Sequence, residues 1–231
     1  SLFKSTKGHL KIINALGTKK VGMTREELLA QTKLTSSGAL SGCLEALEEC
    51  GFIRKYRVLG SKKRFVFQLM DSFTLFHFRF LADLEGKDEN WWSRSVTSPV
   101  QAAWRGLAFE RLCLQHVPQM KAALGIASVL TNVHAWHHAP DDVYPVGVQI
   151  DLLLDRADNV INVCEMKYFA GPYAIDKAAD ADFEQKLETF RAVTKTEKAV
   201  HLTLVTSRGL VRNAYANSVQ SEVTLDDLFR P

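Results

Sequence analysis

Cysteine is scarce. The 231 residues hold four, Cys43, Cys50, Cys113 and Cys164, and no two stand at C-x-x-C spacing, which argues against zinc ribbons, dithiol redox motifs and a disulfide framework. Long apolar runs are missing as well, so no segment reads as a membrane-spanning helix, and no leader-type segment is legible. A reducing cytoplasm is therefore the expected compartment, with the thiols as small buried hydrophobes. The loop that cradles nucleotide phosphates, G-x-x-x-x-G-K-[ST], is absent too: "GTKK" at residues 17–20 lacks its first glycine and its Ser/Thr, so ATP binding is not expected of this chain. No Ser or Cys nucleophile with a partnered His can be picked out. A large charge excess is also lacking, since 29 Lys and Arg against 26 Asp and Glu leave +3, which permits a nucleic-acid partner without demanding one.

What is present is an ordinary globular composition, 46% hydrophobic and 24% charged, long enough for one large or two small domains. Residues 1–71 carry helical spacing in "HLKIINALG", which stops at Gly17. A second helix opens at Thr24 with Glu27 three residues on, a capping box. A third starts near Ser36 or Ser37, carries Leu40, Leu44 and Leu47, and halts at Gly51. "FIRKYRVLGSKKRFVFQL" then reads as strand, Gly-Ser turn, strand. Three helices and a two-stranded wing describe a winged helix-turn-helix, in which the third helix normally meets the major groove and the wing the backbone. The basic cluster Arg54, Lys55, Arg57, Lys62, Lys63 and Arg64 suits phosphate contact. The third helix suits base reading less well, because Glu45, Glu48 and Glu49 make it acidic. Protein docking or a spacer role is the other reading of this module.

Residues 72–100 form an aromatic helical linker, with Phe73, Phe76, Phe78 and Phe80 before Trp91-Trp92, read as packing, with base stacking the lesser alternative. Residues 101–231 run helix, strand, strand, strand, helix, strand and a short tail, a mixed sheet flanked by helices.

"IDLLLDRADNVINVCEMKYF", residues 150–169, places Asp151, Glu165 and Lys167 within apolar runs. Alternation puts Glu165 and Lys167 on one strand face. A three-residue loop of Ala157, Asp158 and Asn159 would set Asp151 opposite Glu165, at about 5 Å, whereas a two-residue loop would put them on opposite faces. Two such carboxylates repel unless a cation joins them, and Mg²⁺ or Mn²⁺ suits oxygen ligands. Lys167 would then polarise a water or stabilise charge on a phosphate oxygen. The bland alternative is a strand-end Asp151 and a surface Glu165–Lys167 ion pair.

Helix with Glu110, strand pair with Asp151, then Glu165-Met166-Lys167, helix and strand: this order resembles the PD-(D/E)XK nuclease superfamily, whose core runs α-β-β-β-α-β. More closely, "WRGLAFERLCLQHVPQ", "VGVQIDLLLDRADNVINVCEMKY", "YAIDK" and "SEVTLDDLF" resemble the family of unknown function that follows the P-loop module in archaeal and bacterial AAA-type ATPases. The resemblance implies α/β (α+β) architecture, an N-terminal winged helix-turn-helix plus a C-terminal restriction-endonuclease-like mixed sheet. It implies Asp151 and Glu165 as metal ligands, Lys167 as catalytic lysine and Glu110 as the helix carboxylate completing the site, with Gln185 and Lys186 facing the same cleft. It further implies that an ATPase module of the same polypeptide lies upstream. Gln149-Ile150-Asp151 departs from the superfamily formula in lacking the Pro.

The expectations are thus a Mg-dependent DNA nuclease or phosphodiesterase, a silent nuclease-like regulatory module of the ATPase, or a DNA-binding regulator. His134, His137 and His138 read as a solvated strand end, because successive strand residues point to opposite faces.

Overall fold

In the computed structural model, which describes residues 6–34, 37–61, 65–82 and 89–230, the polar signals of the first third fall at helix ends. Helix α1 (Thr6–Gly17) leads through β1 (Met23–Thr24) into α2 (Arg25–Thr32). Thr24 caps α2: its Oγ1 accepts the Glu27 N–H at 3.3 Å, and Glu27 accepts the Thr24 N–H at 2.7 Å. Such a cap contributes about 1 kcal/mol. Helix α3 (Ser37–Glu49) ends at Gly51, whose φ of 73° lets Phe52 N–H reach the Leu47 carbonyl at 2.9 Å and Gly51 N–H the Glu48 carbonyl at 3.0 Å. The hairpin of β2 (Ile53–Val58) and β3 (Phe65–Leu69) follows, pairing Ile53 with Leu69 through Arg57 with Phe65, and β1 joins the other edge of β3. Ile12, Leu16, Leu28, Leu40, Leu47 and Leu69, each at most 1% exposed, form the core of this unit.

Two polar contacts fix the hairpin to the turn before β1. Buried Gln68 donates to the Lys20 carbonyl at 2.8 Å, and the Tyr56 hydroxyl to the Val21 carbonyl at 2.6 Å. Gly22 permits the approach: with φ at 86°, an added Cβ would lie 2.3 Å from the Phe67 carbonyl oxygen. Helix α4 (Ser72–Phe76) continues as a π-helical turn (His77–Leu81), with the Phe78 ring against Gly17. A single turn, α5 (Trp91–Arg94), marks the division of the chain into two units, Ser1–Trp91 and Trp92–Pro231. The aromatic stretch up to Trp91 thus belongs to the first unit.

The second unit is built from α6 (Pro99–Gln115), α7 (Val117–Ala123), β4 (Thr131–His138), β5 (Val148–Arg156), β6 (Val160–Lys167), α8 (Lys177–Thr194), β7 (Ala199–Thr206) and β8 (Ser221–Thr224). Its strands lie in the order β4-β5-β6-β7-β8, antiparallel from β4 to β6 and parallel from β6 to β8. The parallel step needs a crossover, and α8 supplies it, capped by Asp176, which accepts the Ala179 N–H at 2.8 Å. Leu152, Leu153 and Leu154 are all 0% exposed, so both faces of β5 are covered. The architecture is mixed α/β. Residues 221–224, part of the expected tail, form a fifth strand of this unit, and α7 adds a helix that the sequence pattern does not announce.

Candidate active site

The β5–β6 hairpin turns through residues 157–159, with Asn159 left-handed at φ 62°. This is the three-residue loop. The ladder pairs Leu152 with Cys164 through Asp155 with Ile161, a register that, carried one step on, sets Asp151 opposite Glu165. Hydrogen-bonded pairing ends just before that step. On the other side of β5, Leu153 pairs with His134 and Ile150 with Trp136, so Asp151 and Leu152 together face the single residue Ala135. Asp151 therefore lies in a β-bulge, a device that bends a strand and re-aims a side chain. It is half-buried and accepts a short hydrogen bond from Gln149 Nε2.

Glu165 lies between two lysines. Lys167 Nζ is 2.8 Å from Glu165 Oε1, and Lys186 Nζ of α8 is 3.2 Å from Oε2, with side-chain exposures of 16%, 31% and 20% for Glu165, Lys167 and Lys186. These values place the cluster at the margin of the core rather than on an open surface. Lys186 also meets Asp182, one helical turn earlier, at 3.0 Å. Burial alone would pull its ammonium down, but Glu165 and Asp182 outweigh it and hold Lys186 above the ordinary lysine value. Burial, reinforced by Asp176, Glu165 and Asp182, raises the Tyr173 phenol. The Lys167 ammonium rides 5.7 Å above the Phe183 ring.

Glu110 approaches the sheet from elsewhere. On α6, buried, its Oε1 accepts from Arg111 Nη1 at 2.6 Å. Cys113, one turn further, is pushed far up by burial, then by Cys164 of β6 and by Glu110, and α6 packs against β6, with the Phe109 ring edge-on to Tyr168 at 6.0 Å. Helix α8, carrying Lys186 and Phe183, covers the Glu165 face. The structure thus joins Glu165, Lys167 and Lys186, while the β5–β6 register, carried one step past its last pair, sets bulged Asp151 opposite Glu165, and Glu110 lies on α6 against Arg111. Gln185 is exposed.

A hard cation finds oxygen donors of the right kind in Asp151 and Glu165, and Mg²⁺ commonly uses only one or two carboxylates with waters completing its shell. Among the described residues, no group of three or more His, Cys, Asp or Glu side chains could hold a metal ion. Asp151 and Glu165 are thus at most two protein ligands for such an ion, and Lys167 and Lys186 supply the counter-charge on Glu165.

Other charges in the hairpin have structural partners. Asp155 meets Lys198 at 2.6 Å, and Arg156 pairs with Asp158. His138 Nε2 lies 3.0 Å from Asp141 and His137 is exposed, both at the end of β4, whereas His134 is half-buried within the strand and pairs with Leu153.

In the first unit, Arg54 Nε donates to Gln68 at 2.6 Å and its guanidinium stacks 4.5 Å over Tyr56. Exposed Lys55 and Arg57 both rest on the Phe65 ring, at 4.4 and 4.8 Å. Lys62, Lys63 and Arg64 lie outside the described residues. On α3, Glu45, Glu48 and Glu49 are exposed, and Ser41 receives a hydrogen bond from Arg25 at 2.8 Å.

The sequence reading did not single out Tyr173, Asp182 or Phe183 as parts of the site. The i, i+4 spacing of Asp182 and Lys186 was a usable signal; nothing in the spacing marks Tyr173. No family model, no curated protein and no solved structure matches the chain.

Proposed function

We propose that the second unit is a Mg²⁺- or Mn²⁺-dependent phosphodiesterase that acts on DNA, in a fold of the PD-(D/E)XK kind. The single observation that carries the reading is the meeting of Glu165, Lys167 and Lys186 beside the bulged Asp151, within a mixed sheet. Asp151 and Glu165 would hold the ion; when bound, it supplies a water of lowered pKa and neutralises phosphate charge. Lys167, two residues from Glu165 on the same strand face, places an ammonium where charge on a phosphate oxygen develops. Lys186 holds the Glu165 carboxylate in position from α8. Glu110, held by Arg111 on α6, is proposed as the helix carboxylate that completes the site.

The first unit is proposed as a winged helix that contacts duplex backbone through Lys55 and Arg57, with Arg54 turned toward Gln68 and Tyr56. The whole is proposed as the C-terminal portion of a cytoplasmic AAA-type ATPase. Among the described residues no helix is long and apolar enough to cross a membrane.

The test is cleavage of single-stranded, duplex and branched DNA with Mn²⁺ and Mg²⁺. The native chain is expected to cut, and Lys167→Ala to lose about a hundredfold or more of that rate. One observation favours a second reading, a silent regulatory module: Lys167 and Lys186 both pair with Glu165 and supply its counter-charge. That reading gains if neither ion gives a calorimetric signal that Asp151→Ala abolishes.

A further inference from the structure

Directly after Lys167 the chain leaves β6 and presents an aromatic side chain under unusual constraint. Phe169 is 46% exposed. A single exposed apolar residue is ordinary and means little alone. Here, however, both polar groups of its backbone are held by one hydroxyl: the Phe169 N–H donates to Ser207 Oγ at 2.9 Å, and that hydroxyl donates back to the Phe169 carbonyl at 2.5 Å. Ser207 is itself 4% exposed, so the clamp is set into the core at the end of β7. The ring stacks on Tyr173, centroids 4.6 Å apart and planes 22° apart. Tyr173 is fixed in turn, its N–H on the Gly209 carbonyl at 2.7 Å and its carbonyl accepting Val211 N–H at 2.9 Å.

Rigidity of this kind serves recognition, because a ring already ordered loses little entropy when a partner stacks on it. One face of Phe169 is taken by Tyr173, and the remaining exposure leaves ring surface open to solvent. Charge around it is mixed: Lys167 stands two residues before and exposed Arg208 follows the clamping serine, while Asp176, Glu165 and Asp182 act on the Tyr173 phenol. A flat apolar ring with the Lys167 and Arg208 cations close in the chain suits a nucleobase attached to a phosphate. In a duplex, that base face is hidden by its neighbours.

We infer that Phe169, stacked on Tyr173 and clamped by Ser207, is a platform for an unpaired base of a DNA strand entering the site at Lys167. The inference rests on the phosphodiesterase reading and narrows it: the preferred substrate has single-stranded character next to the scissile phosphate, as in a flap, an overhang or a frayed end.

The experiment measures binding of a fluorescein-labelled oligothymidylate and of a matched duplex to the full chain in metal-free buffer, so that affinity is read without cleavage. A second strand carrying 2-aminopurine reports stacking through quenching. Phe169→Ala and Phe169→Leu are expected to weaken single-strand binding about tenfold and to abolish the quenching, since stacking on one aromatic contributes about that much. Phe169→Trp is expected to keep both, and duplex affinity to change little. The platform is overturned if the native chain does not bind the single strand, if Phe169→Ala binds it as the native chain does, or if Phe169→Leu retains full affinity. Single-strand binding that depends on Phe169 in a chain that never cuts with Mn²⁺ leaves the platform standing and removes the phosphodiesterase. Cutting that is indifferent to Phe169 does the reverse.

Discussion

Glu165 illustrates how a charge tolerates the margin of a core: two ammoniums approach it within 2.8 and 3.2 Å, from the same strand and from α8. The Lys186 contribution depends on pH in a defined direction. Its folded value is raised, so the stabilisation is complete below the ordinary lysine value of about 10.4 and fades as pH rises through the folded one. Lys186→Met is accordingly expected to cost about 1–2 kcal/mol near neutral pH, with the gap to the native chain narrowing as pH rises beyond the ordinary lysine value, as read from urea unfolding. A constant gap across that range would assign the loss to packing instead. From the sequence, Asp151, Glu165 and Lys167 were legible as ionisable groups where apolar ones belong. The bulge at Asp151 was not, because it arises from how β4 pairs with β5, and one strand's alternation carries no record of its neighbour's register.

At the level of elements, the hairpin is where the sequence spoke most clearly. "RADNV" admitted two loop lengths with opposite consequences, and the left-handed Asn159 belongs to the longer one. Because an L side chain pays about 1–2 kcal/mol in that conformation unless it is Asn, Asp or Gly, Asn159→Ala is expected to lower stability by about 1 kcal/mol. Asn159→Gly should leave the denaturation midpoint nearly unchanged. Equal losses in the two variants would mean that the Asn159 side chain, not its backbone, matters. The Thr24 cap and the Gly51 stop were readable because both signals are local. Strand β8 was not: four residues give too little alternation, and only the parallel pairing of Thr203 with Ser221 through Thr206 with Thr224 defines it. The packing of α6 against β6 and of α8 against β7 was likewise invisible.

For the whole molecule, a net charge of only +3 means that any affinity for DNA must come from local concentrations of cations. In the described part of the first unit, Lys55 and Arg57 share the Phe65 ring, which holds both charges on one side of β2. Replacing both with Ala is expected to reduce the slope of log affinity against log salt for duplex DNA by about 2, one per lost phosphate contact. An unaltered slope would take this strand out of the interface. The chain divides between Trp91 and Trp92, so that most of residues 72–100, read from the sequence as a separate linker, counts with the first unit.

Strands β6, β7 and β8 run in parallel and therefore leave the sheet along one edge. Lys167, the Phe169 loop and the Ser207 clamp all follow from those exits, while Leu152, Val163, Leu202 and Leu204 carry the core beneath. Stability and chemistry are thereby written in different stretches of the chain. Within 168–173 and 207–212, exposed positions such as Phe169, Arg208 and Val211 can change with little penalty to folding, whereas buried Tyr173 and Ser207 tie the two segments together and cannot.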